Sequence, residues 1–149
     1  MKAIIACDPN GGIGYKGKLP WDKLEGDLPR FKSLTTGQKV IMGRKTWDSL
    51  PVKPLPNRTC IVLTSSIFPV PEGVHLVNNI SSDHEHAWII GGGTVVNGCW
   101  NSITEFHLSR TYRKYKCDTF INLELLEREF SCTWIEKLSD HTYEIWRRN

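Results

Sequence analysis

Short apolar runs, each closed by a turn residue, set the rhythm of the first two thirds of the chain. Lys2–Cys7, Lys39–Gly43, Arg58–Thr64 and Ala87–Ile90 are rich in Ile and Val, as strands covered on both faces are, and Gly73–Asn78 is a shorter run of the same kind. Between the first two, Leu24, Asp27, Leu28, Phe31 and Leu34 recur at helical spacing. Pro29 is compatible with that helix only in its first turn, so the helix starts near Gly26 or Asp27. Arg44–Leu50 reads as a short helix ended by Pro51, and Thr94–Trp100 as another. Ile103–Arg110 alternates as a strand, and Phe130–Leu138 and His141–Arg148 form a closing antiparallel pair around Ser139-Asp140. Strands separated by helices, then strands alone, predict an α/β fold with a mostly parallel sheet. The stretch from Asp8 to about Asp22 is a long Gly-rich loop in this pattern.

The chain has 149 residues, enough for one core, and neither a linker nor a repeat divides it, so residues 1–149 are expected to form one domain. Hydrophobic residues make up 40% and charged ones 23%, which excludes a disordered or collagenous chain. No apolar run approaches the ~20 residues of a membrane helix. The opening MKAIIACDPNGG has too short an apolar stretch for a signal peptide, and a cytoplasmic location is expected. Cys7, Cys60, Cys99, Cys117 and Cys132 contain no C-x-x-C pair and read as free thiols. His84 and His86 find no third ligand near in sequence, so no metal is expected. The net charge of +3 favours small acidic ligands and, with its cations dispersed, does not form the basic face of a nucleic-acid binder.

Three features could carry chemistry. Gly12 to Gly17 match G-x-G-x-x-G, but Pro20 follows where a dinucleotide-binding motif would need its helix. A loop able to close over a site, weighted by Leu19 and Trp21, is the better reading. Gly91-Gly92-Gly93 lies between a strand and a helix, an arrangement that suits either a phosphate or a tight turn; Gly43-Arg44-Lys45-Thr46 repeats the junction with two cations and a hydroxyl. Asp27 lies on the apolar side of its helix. It is either a helix-end carboxylate satisfied by backbone N–H groups or a half-buried acid whose desolvation makes it a functional group.

Taken in order, Ile4-Ile5-Ala6, GIGYKGKLPW, Asp27-Leu28-x-x-Phe31-Lys32, VIMGRKTWDSLP, Pro54-Leu55-Pro56-x-Arg58, IVLTSS, IIGGG, Asp118-Thr119-Phe120 and YEIWRR resemble dihydrofolate reductase over essentially the whole chain. The resemblance implies one α/β domain with an eight-stranded, mostly parallel sheet, an antiparallel C-terminal strand and about four flanking helices. It implies NADPH-dependent reduction of 7,8-dihydrofolate, with hydride to C6 and a proton to N5, in a chain that binds dihydrofolate and antifolates; no exposed apolar helix stands out in the sequence, so a monomer is expected. By resemblance Asp27, Trp21 and Leu19 are the catalytic set. Ile4, Ala6, Asp27, Leu28, Phe31, Lys32, Leu50, Leu55, Ile90 and Ser109 match substrate positions, and Arg58 matches the partner of the glutamate tail's carboxylate. Ala6, Ile13, Gly14 and Leu19 match cofactor contacts near the nicotinamide. Gly43, Arg44, Lys45, Thr46, Leu63, Thr64 and Ser65 match the adenosine-phosphate stretch. Ile90, Gly91, Gly92, Gly93, Thr94 and Val95 match the pyrophosphate loop, with a cis peptide implied at Gly91-Gly92.

Three positions depart from the family pattern. Val96 stands where many members carry tyrosine, Ser109 replaces a threonine, and Ser81–His86 is too short for a full helix. The related reductases of pyrimidine biosynthesis lack the pairing of Trp21 with Asp27, which separates them from this chain. Apolar surface from Ile4, Leu28 and Phe31 is expected to enclose the Asp27 carboxylate.

Overall fold

A computed structural model describes residues 1–149. Its frame is an eight-stranded sheet of β1 (Lys2–Cys7), β3 (Lys39–Gly43), β4 (Thr59–Leu63), β5 (Val74–Val77), β6 (Trp88–Gly91), β7 (Glu105–Thr111), β9 (Phe130–Lys137) and β10 (His141–Arg148). The spatial order is β5-β4-β3-β6-β1-β7-β10-β9. Every pairing from β5 to β7 is parallel, and β10 runs antiparallel to both of its neighbours. The Ile/Val runs form the central strands because both faces of a parallel sheet are covered, and Val40, Ile41, Met42, Cys60, Ile61, Val62 and Ile89 are all buried.

Four helices flank the sheet: α1 (Asp27–Thr35), α2 (Arg44–Ser49), α3 (Gly93–Gly98) and α4 (Leu123–Glu129). Helix α1 begins at Asp27 after Gly26, whose φ of 70° is a conformation that glycine adopts at little cost, and Pro29 falls in the first turn. One core face gathers Ile5, Ile89, Phe106, Leu108, Leu126 and Phe130; the other gathers Val40, Met42, Trp47, Val62 and Trp88. All five cysteines are free, and burial pushes the Cys7 thiol up to about 12, so it stays protonated at neutral pH. No helix is long and apolar enough to cross a membrane.

The structure corrects two expectations. The Gly-rich stretch is not irregular throughout: β2 (Gly12–Gly14) pairs with β8 (Thr119–Phe120) in a second, two-stranded sheet. Three residues with two glycines are too few to carry a period-2 signal, and their partner lies far along the chain. The last third is not strands alone, because α4 lies before β9, with Asn122 accepting from the Leu125 N–H at its N-cap. Strand β7 alternates, yet neither of its faces is solvated. Phe106 and Leu108 enter one core, while Glu105, His107 and Ser109 are buried on the other side. In the Ser81–His86 stretch only a single 3-10 turn, Ser82–His84, is present.

Candidate active site

The carboxyl ends of β1, β3 and β6 open side by side. Strand β6 returns between β3 and β1, and β7 continues on the far side of β1, so the chain changes direction at this point. Crevices of this kind, at the carboxyl ends of parallel strands, are where open α/β sheets take their ligands. Ile4 and Ala6 on β1 and Ile90 on β6 remain partly exposed, as do Phe31 on α1, Leu50 after α2, and Leu55. Leu28 stands 62% exposed and Lys32 is exposed on the same helix.

Asp27 occupies the first turn of α1 with its side chain 30% accessible. The Ser109 hydroxyl on β7 donates to Asp27 Oδ1 at 2.8 Å, and Arg30 Nη1 lies 3.5 Å from the same oxygen. Oδ2 has no protein partner and is free to accept from a ligand. Apolar enclosure of this carboxylate is therefore not what the structure shows: a hydroxyl and a guanidinium face it. Spacing missed Arg30, although three residues on from Asp27 is one of the two positions on α1 that face it. At the far end of the helix, Arg58 Nη1 donates to Thr35 Oγ1 at 3.1 Å and Arg58 Nε to the Pro56 carbonyl at 2.8 Å, which holds the guanidinium at the rim.

The loop after β1 is fastened at both ends. Asp8, buried and passed over in the sequence, accepts from the N–H groups of Asn10, Gly12 and Tyr115. Asp118 accepts from the Lys16 N–H at 2.9 Å, and that hydrogen bond is the main reason its carboxyl is held below the usual carboxylate range. Trp21 is buried edge-on against Tyr115, with ring centroids 5.6 Å apart, whereas Leu19 stands 61% exposed at the loop tip. Ile13 and Gly14 lie on β2, against Thr119.

The phosphate-type junctions also form. The Gly91-Gly92 peptide is cis, and Gly91 has a φ of 146° that disfavours any other residue. A Cβ on Gly91 would lie 3.1 Å from Thr46 Oγ1, one on Gly43 3.2 Å from Val95, and one on Gly93 2.9 Å from Thr119. Glycine at these three positions lets β3, β6 and the start of α3 pack closely against Thr46, Val95 and Thr119. Val95 is buried and Thr94 exposed, so at Val95 the backbone rather than the side chain is on offer. Val96 is fully buried in α3 and presents no polar group. Arg44 stacks its guanidinium 3.7 Å from the Phe68 ring and donates Nε to both Asp48 carboxylate oxygens. Lys45 and Ser65 are exposed, and Leu63 and Thr64 half-buried, at the adjoining strand ends.

The model of the family described as dihydrofolate reductase matches residues 1–146. The chain belongs to the dihydrofolate reductase family. It is 39% identical to the type 8 dihydrofolate reductase of Escherichia coli, over 99% of this chain and 95% of that one. It is 35% identical to a Staphylococcus aureus dihydrofolate reductase, over 80% and 76% of the two chains. A solved Enterococcus faecalis dihydrofolate reductase, in complex with NADP(H) and RAB-propyl, superposes with a TM-score of 0.81 at 30% identity, covering 99% of this chain and 95% of that one. Membership makes the chain an oxidoreductase, and the cleft between α1 and the strand ends is its candidate active site.

Proposed function

We propose that this chain, as one domain spanning residues 1–149 and as a cytoplasmic monomer, reduces 7,8-dihydrofolate to 5,6,7,8-tetrahydrofolate with NADPH. The observation that carries the reading is the free Oδ2 of Asp27 in a partly open cleft, with Oδ1 already held by Ser109. A carboxylate presented in this way accepts two parallel hydrogen bonds from an amide and a neighbouring amino group, the edge that a pterin offers. NADPH, when bound, supplies the hydride that C6 receives.

The residues present fit that cofactor. The strand-to-helix junctions Gly91-Gly92-Gly93 and Gly43-Arg44-Lys45-Thr46 would hold its pyrophosphate, and Arg44, Lys45, Thr46, Thr64 and Ser65 would hold the adenosine phosphate. Asp27 orients the ring and favours a proton at N5 as negative charge there meets the developing positive character of the N5=C6 bond. Arg58 pairs with the tail carboxylate, and Lys32 adds a second cation along the same rim. Trp21, with Leu19 at the loop tip, excludes water. Antifolates that mimic the pterin edge compete for Asp27.

Absorbance at 340 nm with NADPH and dihydrofolate tests the reading, together with single-turnover hydride transfer in Asp27→Asn from pH 5 to 9. The variant binds both ligands and transfers hydride about 10²- to 10⁴-fold more slowly at pH 7, recovering as bulk acid supplies the proton. Parental rates in Asp27→Asn at pH 7 would reduce Asp27 to a helix-end carboxylate.

A further inference from the structure

A polar relay, fully buried at His141 and half-buried at Arg30 and Asp140, lies behind the Asp27–Ser109 pair. Arg30 Nη1 donates to Ser109 Oγ at 3.2 Å and lies 3.5 Å from Asp27 Oδ1. Its two terminal nitrogens lie 3.5 and 3.4 Å from His141 Nε2, and its Cζ lies 4.0 Å from the centre of the Tyr143 ring. His141 is fully buried, with Nδ1 2.6 Å from Asp140 Oδ1. Because a guanidinium only donates and Asp140 accepts, the ring proton of His141 belongs on Nδ1, which leaves Nε2 to receive Arg30. Asp140 accepts in addition from the Glu25 N–H, tying the turn before β10 to the segment that leads into α1. The His141 ring N–H holds the Asp140 carboxyl below the usual carboxylate range, so the relay's anchor is ionised at neutral pH.

We propose that Arg30 is a positioning residue, clamped by His141 and Tyr143 so that its guanidinium sets the geometry in which Asp27 and Ser109 meet the substrate. A serine hydroxyl has one proton, and with Arg30 donating into its lone pair that proton is committed to Asp27 Oδ1. Both interactions fall on Oδ1, which pins the carboxylate's rotation and turns Oδ2 to the ligand. A side chain as long as arginine's loses rotamer entropy when held in one place. The histidine acceptor and the aromatic face restrict it before any ligand arrives.

The proposal rests on Asp27 being the substrate's partner, and its test separates the two claims. Arg30→Met keeps most of the side chain's length and apolar contact but removes the donors. In single-turnover assays at saturating dihydrofolate its hydride-transfer rate falls on the order of tenfold, the loss of about one charge-assisted hydrogen bond. The dissociation constant for NADPH stays at the parental value, and Arg30→Lys recovers part of the rate. In an Asp27→Asn background, Arg30→Met has no further effect, because nothing is left for Arg30 to position. Equal losses toward NADPH and dihydrofolate, or full additivity with Asp27→Asn, would make Arg30 a structural brace and overturn the proposal. A crippled Asp27→Asn beside an unimpaired Arg30→Met also overturns it while leaving the role of Asp27 intact. A fully active Asp27→Asn removes both.

Discussion

Ser109 on β7 and Asp27 on α1 are 82 positions apart in sequence and joined by a 2.8 Å hydrogen bond. Neither the helix nor the strand alone determines the site. The pairing depends on β7 being a central strand, hydrogen-bonded to β1 along six residues and to β10 on its other side, so that its polar parity lies under α1. Removing the hydroxyl in Ser109→Ala leaves Asp27 Oδ1 with Arg30 alone. Turnover at limiting dihydrofolate should drop on the order of tenfold, the low end for a hydrogen bond to a partly solvated charge. Ser109→Thr, which keeps the hydroxyl, should restore it. An alanine variant with parental kcat/KM would show that Asp27 needs no help from β7.

The two glycines that bound α3 should respond in opposite directions. At Gly93 an added methyl would sit 2.9 Å from Thr119 on β8 and 3.4 Å from Ile13 on β2, so Gly93→Ala must push the small sheet away from α3. A raised KM for NADPH and a lowered melting temperature are expected together. At Gly98 nothing lies within 4 Å, and alanine there should stabilise the helix by about 0.5–1 kcal/mol. Thermal melts of both variants check the contrast.

How far the molecule could be read in advance follows from where the physical signal is local. Ile and Val runs gave away the central strands, because a parallel sheet buries both faces and leaves no other use for such runs. Pro29 located the start of α1 to within a residue. The second sheet was not legible, since β2 and β8 are two or three residues each and are held by a distant clasp, Asp118 to Lys16. Strand β7 was legible from its alternation, but the use of its polar residues was not: Glu105, His107 and Ser109 are buried with partners distant in sequence, Lys2 and Arg147 for Glu105, Tyr143 for His107, and Asp27 for Ser109. The candidate site itself came from resemblance. Arg30 and His141 came from neither source, because their meaning appears only when α1 and β10 are placed against each other.

His107 offers a stability test whose sign can be worked out. It is buried against Trp88, and burial lowers its affinity for a proton below the ordinary histidine value, with Glu105 opposing in part. The unfolded chain therefore binds a proton near pH 6.5 that the native chain still refuses. Stability should fall as pH drops from 6.5 toward the native value, and stay level above it. Urea midpoints measured between pH 7.5 and 5 should show this slope in the parent and a shallower one in His107→Gln. Parallel slopes would assign the effect to other groups.

Arg44 and Asp48 make the cofactor preference testable in both directions. The guanidinium is already engaged, Nε to both Asp48 oxygens at 3.0 and 3.1 Å, with its face on Phe68. That arrangement holds Arg44 in place and sets a carboxylate beside the guanidinium proposed to receive the 2′-phosphate. On the proposed reading the phosphate meets the terminal nitrogens that Asp48 leaves free, close enough to its carboxylate for like charges to repel at a partly exposed site. Arg44→Ala should raise the KM for NADPH by about tenfold to a hundredfold, the value of a charge-assisted phosphate contact, while hardly changing that for NADH. Asp48→Asn keeps one hydrogen-bond acceptor for Nε and removes the competing charge, so it should lower the KM for NADPH and again spare NADH. Both effects should shrink in high salt, because the pair is exposed on each side. If Arg44→Ala weakens both cofactors alike, the phosphate is held elsewhere. If Asp48→Asn weakens NADPH, the carboxylate serves to aim the guanidinium more than it repels the phosphate.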